Sequence, residues 1–385
     1  MQWLPGVFLL QEVHAQEKRQ NANDALSRMS GVDGISGSFN FAYEGNTGRL
    51  SEITLPSAAK TGFSYDALNR MTQVQNRTGT GALISRYAYG YETAGYEKRS
   101  VRTFRDSQVG TEDAQRVNYG YDVVGQLESE VSVETPTPSL SQSFTYDAMG
   151  NRATSRGGVG TAQVNGTASR NPLNQLTQLT STPATGTPST TALSYDVSGN
   201  LKQQRGMQGG SPTGTASYGY TDQDALDSYV SYTAAGVPSH KTSYVYDGLS
   251  RKRITREWDW NTTTSAWVQS SEKRYLLDGM DVVQERDENN AVKTAYVRAG
   301  NIGGLLSKTK RAGGQADVHL FYHYDGQGNV AQLTNATQAT VADYRYDAFG
   351  NNRAATGTEA AGNLFRFSTK ELQTWSGLRP VPANG

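Results

Sequence analysis

The chain has 385 residues and a formal net charge of zero, and it contains no cysteine. Zero net charge removes the electrostatic argument for a nucleic-acid or anionic-membrane surface, and the missing cysteines exclude disulfides and thiolate chemistry. No apolar run approaches the roughly 20 residues that a membrane-spanning helix requires. Gly (41 residues) is abundant and Tyr (22) outnumbers Phe (10), which is typical of many turns and a half-solvated sheet surface rather than of an α/β enzyme.

Residues 1–38 are predicted to form an N-terminal segment ahead of the main array, partly disordered or with a short helix in residues 16–30. Residues 3–10 are apolar, and residues 13–15 would suit cleavage of a signal peptide. However, no Lys or Arg precedes the apolar stretch, which is at the short limit for a signal peptide. A strand edge is therefore the favoured interpretation of this stretch.

From residue 39 onward, one phrase recurs along the chain. This sequence motif is almost identical in Phe144–Arg152, Tyr244–Arg251 and Tyr344–Asn351. Its anchor tyrosines recur 21 to 30 residues apart, and the 49-residue gap between Tyr146 and Tyr195 contains a worn copy at residues 171–176. Recurrence at this scale indicates a structural repeat, and such chains usually serve as surfaces or containers rather than as catalysts.

Each copy predicts a strand, a tight turn and a second strand. Tyr-x-Tyr places two rings on one face of a strand, and the following Asp can accept backbone N–H groups at the start of a type I turn. Gly three residues after the Asp suits the left-handed position of a G1 bulge. Turns are predicted at 66–69, 147–150, 325–328 and 347–350, with more than half of the ordered residues in antiparallel strands.

These repeat-motif residues are assigned a structural role. They are Tyr65, Asp66, Tyr121, Asp122, Gly125, Tyr146, Asp147, Gly150, Asn151, Tyr195, Asp196, Gly199, Asn200, Tyr246, Asp247, Tyr324, Asp325, Gly328, Asn329, Tyr346, Asp347, Gly350 and Asn351.

Three stretches rich in Pro, Gly and Thr interrupt the array, at residues 134–139, 181–191 and 206–214. Their composition predicts long hairpin loops or weakly ordered excursions. Because the repeat resumes on both sides of each stretch, we interpret them as insertions inside one domain.

A search for chemistry finds no candidate catalytic residue, metal site or cofactor site. His319 and His323 lie four residues apart on one strand face, about 13 Å at the usual rise per residue, which is too far to share a zinc ion. The turn aspartates supply one carboxylate each, whereas calcium loops use several oxygens at alternate positions, so the turn-forming role is preferred. A nucleophile elbow, a Walker loop and a Cys-His pair are missing.

Trp258, Trp260 and Trp267 form an aromatic-rich segment that could stack on sugar rings. A long hairpin with cross-strand aromatic pairs explains the same residues and is favoured over the sugar-binding hypothesis.

The Tyr-x-Tyr-Asp-x-x-Gly-Asn phrase resembles the YD repeats of RHS proteins, toxin-complex C subunits and teneurins. From about residue 270 to 378 the chain is similar to the start of an RHS-associated core. The segments that carry this resemblance are 275–285, 296–306, 321–330, 344–351, 363–371 and 376–378.

The resemblance implies an all-β array of antiparallel YD-repeat hairpins over residues 39–378, forming a curved or spiral sheet that is part of a hollow shell. It further implies a non-enzymatic role in encapsulating a C-terminal toxin or effector of a polymorphic toxin or secretion system. The implied partners are that polypeptide and a secretion-apparatus or shell-capping protein, with secretion or cell-surface display by a specialised bacterial export system. The alternative is a carbohydrate or cell-surface binding module on the outer face.

After Leu378 the family pattern continues with a Tyr-rich segment and an aspartate-bearing self-cleavage segment, whereas this chain reads Arg-Pro-Val-Pro-Ala-Asn-Gly over residues 379–385. We therefore expect a chain truncated before the end of the core, with a tail at residues 379–385 that does not belong to the family pattern.

Overall fold

The structure is a computed structural model that describes residues 20–92, 99–106, 115–134, 140–159, 162–299, 304–311 and 313–372. The candidate signal sequence, the tail at residues 379–385 and most of the predicted loop at 134–139 lie outside the described residues. More than half of the described residues belong to strands. No α-helix occurs in these ranges, which contain a single-turn 3-10 helix at Phe367–Thr369.

The strands are numbered in chain order. The first fourteen are β1 (Gln20–Asn23), β2 (Met29–Gly34), β3 (Gly37–Tyr43), β4 (Leu50–Thr54), β5 (Lys60–Tyr65), β6 (Met71–Arg77), β7 (Leu83–Tyr91), β8 (Arg99–Asp106), β9 (Gln115–Tyr121), β10 (Leu127–Glu134), β11 (Leu140–Tyr146), β12 (Arg152–Val159), β13 (Ala162–Arg170) and β14 (Leu176–Pro183). The second fourteen are β15 (Ser189–Tyr195), β16 (Leu201–Gln208), β17 (Ser211–Tyr220), β18 (Leu226–Tyr232), β19 (Pro238–Tyr246), β20 (Lys252–Asn261), β21 (Ala266–Asp278), β22 (Asp281–Arg286), β23 (Val292–Arg298), β24 (Leu305–Lys310), β25 (Val318–Tyr324), β26 (Val330–Asn335), β27 (Thr340–Tyr346) and β28 (Asn352–Thr356).

All 28 strands belong to one hydrogen-bonded sheet. Strands that follow each other in sequence pair antiparallel, and an unbroken series of such pairs runs from β9 to β22. Short connections between consecutive antiparallel strands are the hairpins that the repeat predicts. The predicted fold class, an all-β array of antiparallel hairpins, is confirmed.

The chain divides into two compact units. The first contains Met1–Tyr89, Phe104–Glu112 and Val292–Leu372, and the second contains Gly90–Thr103, Asp113–Ala291 and Gln373–Gly385. The predicted boundaries at residues 38 and 378 stay predictions.

In the first unit, strands from the two ends of the array pack face to face. The ring of Phe39 on β3 meets the edge of Phe321 on β25 at 6.1 Å between centroids, and both side chains are buried. One apolar cluster joins residues from β2 to β7 to residues of β23 to β25. A second cluster lies among β24 to β27 and residues 360–367. Burial of this aromatic and aliphatic surface provides the main stabilisation of the unit.

A buried polar network also crosses between these packed strands. His323 on β25 has no exposed surface, and its Nδ1 lies 3.2 Å from Oδ1 of Asn76 on β6. Its Nε2 lies 2.9 Å from Oγ1 of Thr334. Asn76 accepts from the Thr61 hydroxyl at 2.7 Å and donates to Ser85 at 2.8 Å. The network satisfies groups that would otherwise be costly to bury.

In the second unit, one sheet face carries a line of buried residues that is less apolar. Val117, Phe144, Leu193, Tyr229 and Tyr244 are buried. Glu130, Ser132, Gln204 and Thr242 are buried as well. The buried residues of the second unit are therefore polar and apolar in similar measure, whereas those of the first unit are mainly apolar.

Two predicted loops are wrong. Residues 181–191 were expected to be a long loop, but β14 and β15 extend through them to a short connection at 184–188, with Ser181 paired to Ser189. Residues 206–214 contain a two-residue turn, Gly209 and Gly210, both at positive φ. The Thr-rich flanks have high strand propensity, and two consecutive glycines allow the tightest hairpin turn.

The predicted helix or disorder at the start of the array is also wrong for residues 20–30. Here β1 and the start of β2 flank a turn at Asp24–Ser27. Asp24 Oδ1 accepts the backbone N–H of Leu26 at 2.9 Å and that of Arg28 at 3.0 Å, and Ser27 has a φ of 61°. The first described hairpin is therefore an additional copy of the repeat, with Asn23 in the tyrosine position.

Candidate functional site

The recurring feature of the molecule is the turn that follows each Tyr-Asp pair. At Asp147, the backbone carbonyl accepts the N–H of Gly150 at 3.0 Å, and the backbone N–H donates to the carbonyl of Asn151 at 2.9 Å. Oδ1 of Asp147 accepts the N–H groups of Met149 and Asn151, each at 2.9 Å. Gly150 has a φ of 80°. This is a type I turn closed by a G1 bulge.

The same arrangement occurs at every other Tyr-Asp motif that the sequence singles out. These turns begin at Asp66, Asp122, Asp196, Asp247, Asp325 and Asp347. The four turns predicted at 66–69, 147–150, 325–328 and 347–350 are all present. Gly125, Gly199, Gly328 and Gly350 share the positive φ of Gly150, while Asn69 and Ser250 adopt it where the motif lacks glycine.

The residue after the glycine position binds the turn carboxylate. The side-chain amide of Asn329 donates to Asp325 at 2.9 Å, and Asn151, Asn200 and Asn351 make the same contact in their own turns. Arg replaces Asn in two turns, as Arg70 and Arg251, and the Arg251 side chain lowers the pKa of Asp247 to about 2. Each carboxylate is thus turned towards its own hairpin.

The anchor tyrosine links neighbouring hairpins through its hydroxyl. The hydroxyl of Tyr146, at the end of β11, donates to the carbonyl of Leu127, the first residue of β10, at 2.7 Å. The backbone ladder between these strands reaches only Ser129 and Ser143. The tyrosine therefore joins two neighbouring hairpins at the point where their backbones separate towards the turns.

This tyrosine link repeats along the array. Tyr65 donates to Leu50, Tyr121 to Arg99, Tyr195 to Leu176, Tyr246 to Leu226, Tyr324 to Leu305 and Tyr346 to Val330. Burial raises the pKa of each of these phenols. The hydroxyl therefore keeps its proton and remains a donor at any ordinary pH.

Some tyrosine rings also contact each other directly. Tyr344 and Tyr346, two residues apart on one strand, lie 6.5 Å apart. Tyr218 and Tyr229 form a cross-strand pair at 5.5 Å.

The worn copy at residues 171–176 keeps the link with a different side chain. Asn171 Oδ1 accepts the N–H groups of Leu173 and Gln175, as the aspartates do elsewhere. Arg170 takes the tyrosine position, and its guanidinium donates to the carbonyl of Arg152 at 3.3 Å. The hairpin-to-hairpin bond therefore survives without tyrosine.

Two features of the repeat were missed by sequence reasoning, namely an additional copy near the start of the array and the role of Arg170 in the worn copy. Asp24-Ala-Leu-Ser27-Arg28 differs from Asp247-Gly-Leu-Ser250-Arg251 at one position, and this identity would have revealed the additional copy. The role of Arg170 could be recognised only from its position immediately before the turn residue Asn171.

The candidate sugar-binding tryptophans lie on the hairpin formed by β20 and β21. Trp260 and Trp267 are cross-strand partners whose rings meet edge to face at 5.1 Å. The indole N–H of Trp258 donates to Ser243 Oγ at 3.1 Å, and all three side chains are half-buried. The arrangement is the aromatic-paired hairpin, although it leaves part of each ring at the surface.

The candidate histidine pair is occupied by separate partners. His319 Nδ1 lies 2.9 Å from the Thr309 hydroxyl, and His323 belongs to the buried network of the first unit. Nowhere in the described ranges do three or more His, Cys, Asp or Glu side chains assemble into a group that could hold a metal ion. No helix in the described part of the chain is long and apolar enough to cross a membrane.

Comparisons with known proteins point to the same repeat. A family model described as RHS Repeat matches residues 46–80, which include the turn at Asp66. The tRNA3(Ser)-specific nuclease WapA of Bacillus spizizenii is 26% identical over 370 residues, covering 95% of this chain and 14% of that protein. The tRNA nuclease WapA of Bacillus subtilis strain 168 is 26% identical over 373 residues, with the same two coverages. The chain thus spans about one seventh of the length of these relatives.

Solved structures share the fold. The crystal structure of TcdB2-TccC3-Cdc42 matches 92% of this chain with a TM-score of 0.60 at 15% identity, over 19% of that chain. The crystal structure of TcdB2-TccC3 matches the same share with a TM-score of 0.52.

The hairpin array and its recurring turn define a β-repeat protein whose copies are joined by side chains at one edge of the sheet. The RHS Repeat match and the TcdB2-TccC3 fold specify which repeat this is. The chain thus carries the RHS repeat at residues 46–80 and shares the fold of TcdB2-TccC3 over most of its length.

Proposed function

We propose that this chain is a non-catalytic wall section of an RHS-type β-shell that encloses a toxin or effector polypeptide. The observation that carries the proposal is the fold: 28 antiparallel strands in one sheet, similar over 92% of the chain to TcdB2-TccC3-Cdc42. A continuous sheet satisfies its backbone hydrogen bonds from strand to strand, which makes it a suitable barrier around another polypeptide.

The tyrosine links support a structural role. They join successive hairpins through hydrogen bonds from tyrosine hydroxyls, and these bonds form only when the neighbouring hairpin is in place. The tyrosine of the repeat motif thus holds neighbouring hairpins together. In our proposal, any nuclease activity of the kind named for the WapA relatives belongs to a part of such proteins that this chain does not match.

The proposed setting is secretion or cell-surface display by a specialised bacterial export system, with the enclosed toxin as the main partner and a capping or secretion-apparatus protein as a second. WapA relatives named as nucleases are consistent with a toxin-related role.

A chimera tests the shell function. In Bacillus subtilis WapA, the matching region would be replaced by this chain, and protease protection of the nuclease portion would be measured beside a variant lacking the region. We expect the chimera to protect the nuclease portion and the deletion to expose it. A folded chimera that is digested as fast as the deletion would contradict the shell role.

The non-catalytic part of the proposal has its own test. The purified chain should leave tRNA intact and should remain a single band on prolonged incubation. A discrete internal cut that one Asp→Asn change abolishes, or sequence-specific tRNA cleavage, would contradict it.

A second candidate function is glycan binding at the hairpin of β20 and β21. The observation that favours it is the half-exposed pair Trp260 and Trp267 beside a polar turn at residues 262–265. Aromatic faces can stack on sugars, but these two rings already contact each other edge to face. Binding on a glycan array that Trp267→Ala abolishes, while Trp258→Phe retains it, would support this function. Equal binding by Trp267→Ala would exclude it.

A further inference from the structure

The two edges of the sheet in the second unit differ in chemistry. In the series from β9 to β22, every Tyr-Asp turn follows an odd-numbered strand. All turns that follow odd-numbered strands, including those without a Tyr-Asp pair, therefore lie along the same side of the sheet, where these strands end, and we call this side the YD edge. Its turn tips expose large apolar side chains, whereas the described turns of the opposite edge contain mainly Thr, Ser, Ala, Gly and Pro. The exposed tip residues of the YD edge are Val123, Val124, Met149, Leu173, Val197, Leu249 and Met280.

The first four of these turns form an uninterrupted apolar row. Val123 is fully exposed, Val124 is 76% exposed and Met149 is 73% exposed. Neighbouring hairpins advance by two strands, about 10 Å, so the row from Val123 to Val197 extends roughly 30 Å. The next turn, Thr221–Asp224, has polar tips and ends the row. Exposed apolar groups that recur on successive turns mark interaction sites more often than isolated ones do.

Side chains hold this row in a fixed arrangement. Gln126 donates from the turn at Asp122 to the carbonyl of Gly150 in the next turn, at 3.4 Å. Asn151 donates onward to Asn174 Oδ1 at 2.8 Å. A surface whose elements are already ordered loses little conformational entropy when a partner binds.

The first unit shows what covers such turns. The segment Phe367–Thr369 lies on the adjacent turns at Asp325 and Asp347. The hydroxyl of Thr369 donates to the carbonyl of Gly328 at 3.0 Å, and the backbone N–H of Ser368 donates to Asn329 Oδ1 at 2.9 Å. The ring of Phe367 meets that of Tyr346 at 5.6 Å, edge to face. It lies so close to Gly350 that a Cβ there would be 2.6 Å from a ring carbon.

The row in the second unit presents equivalent groups. Gly125 and Gln126 provide the carbonyl and side-chain amide oxygens that Gly328 and Asn329 provide in the first unit. Tyr146 and Gly150 correspond to Tyr346 and Gly350. Met149 is exposed, whereas its counterpart Phe349 is half-buried. The contact groups of the covered turns therefore recur, with additional apolar surface, on turns that lie open.

We propose that the YD edge of the second unit, centred on Asp122–Gln126 and Asp147–Asn151, is a docking surface for a polypeptide segment that carries an aromatic side chain followed by Ser or Thr. The aromatic ring would pack on Gly150, Met149 and Tyr146. The hydroxyl and backbone N–H of the following residues would donate to Gly125 and Gln126. Such a segment resembles Phe367–Thr369 in its chemistry, and it is distinct from an enclosed toxin and from a glycan.

A labelled peptide with the sequence of residues 363–372 tests this surface on the intact 385-residue chain. A photo-crosslinking aromatic residue would replace Phe367 in the peptide, and mass spectrometry would locate the adducts. We expect adducts at residues 146, 149 and 150. Adducts confined to the opposite edge, or to the already covered turns of the first unit, would overturn the proposal.

Variants sharpen the test. The triple change Val123→Thr, Val124→Thr and Met149→Thr removes exposed apolar surface from turn tips, and we expect it to weaken peptide binding about tenfold. Val237→Thr on the opposite edge is the matched control and should bind like the unchanged chain, as measured by fluorescence anisotropy. A peptide with Phe367→Ser should bind at least about tenfold more weakly.

Unchanged affinity in the triple variant, or equal binding of the Phe367→Ser peptide, would overturn the proposal. Loss of self-association in the triple variant without any peptide binding would also overturn it, in favour of a second copy of this chain on the same edge.

Discussion

The turns at Asp147 and Asp347 differ in sequence by one residue out of six, Met149 against Phe349. In both turns the aspartate Oδ1 accepts the same two backbone N–H groups, and both glycines have a φ of 80°. Yet Asp347 is 7% exposed, whereas Asp147 lies open to solvent. The motif thus determines the hairpin by itself, while burial depends on whether another segment lies on the turn.

The cores of the two units differ in a related way. In the first unit, strands from opposite ends of the array bury aromatic rings and a complete polar network. In the second unit, polar and apolar residues share the buried face. Copies of the same repeat can therefore differ in how strongly a mutation or a change of pH alters their stability.

The largest expected effect is the pH dependence that His323 gives to the first unit. Burial lowers the pKa of His323 to about 4, from an ordinary value near 6.5. The unfolded chain therefore binds the proton first as the pH falls, so stability is complete above pH 6.5 and declines between pH 6.5 and 4, by about 3 kcal/mol in total.

Calorimetric unfolding at pH 7, 6 and 5 measures this decline. His323→Gln should remove this part of the pH dependence, because glutamine does not titrate. His240→Gln, in the second unit, is the control and should retain it. Identical pH profiles for the unchanged chain and His323→Gln would show that this histidine is not the titrating group.

A second comparison replaces the turn glycines. Gly350→Val and Gly150→Val each force a β-branched residue to positive φ, so each should destabilise by more than about 1 kcal/mol. The loss should be larger at Gly350, about 2 to 3 kcal/mol, because the new side chain meets the Phe367 ring at 2.6 Å. At Gly150 the nearest atom is the flexible end of Gln126, 3.0 Å away. Unchanged melting temperatures in both variants would refute the G1-bulge assignment.

A third comparison removes the tyrosine links. Tyr346→Phe leaves the carbonyl of Val330 without its donor in a buried setting, and should cost about 1 to 2 kcal/mol. Tyr146→Phe exposes the Leu127 carbonyl to water and should cost about 0.5 to 1 kcal/mol. Urea unfolding of the two variants compares them. If Tyr146→Phe lost as much unfolding free energy as Tyr346→Phe, or more, burial would not determine the strength of the link.

The smallest effect is expected at the worn copy. Arg170→Ala removes the bond to the Arg152 carbonyl and should destabilise by about 0.5 kcal/mol, because the arginine is partly solvated. Arg170→Tyr restores the ordinary motif and should be neutral or slightly stabilising. A larger loss in Arg170→Tyr than in Arg170→Ala would show that the arginine makes a contact that tyrosine cannot replace.

Local features of the fold could be predicted from sequence. Asp147, Gly150 and Asn151 contact one another within five residues, so the turn is encoded where it forms. The length of the strands was harder to predict from sequence. Ser189 and Thr190 have the composition of a loop, and only their pairing with Ser181 and Thr180 identifies them as strand residues.

Contacts between distant residues could not be predicted. His323 and Asn76 are 247 positions apart, and neither occupies a specified position of the repeat motif. The hydroxyl partner of Tyr146 was likewise missed, because the carbonyl of any residue looks the same in a sequence. Only the packing of neighbouring hairpins identifies Leu127 as the acceptor.

The tyrosine links also determine how the array would respond to mechanical force. Each link bridges two hairpins about 25 residues apart in sequence, and it must break before the outer hairpin can leave its neighbour. A chain pulled by its ends should therefore extend in a series of discrete steps, each releasing roughly 80 to 90 Å of polypeptide per repeat. Under tension, such a wall would lengthen one hairpin at a time instead of rupturing as a whole.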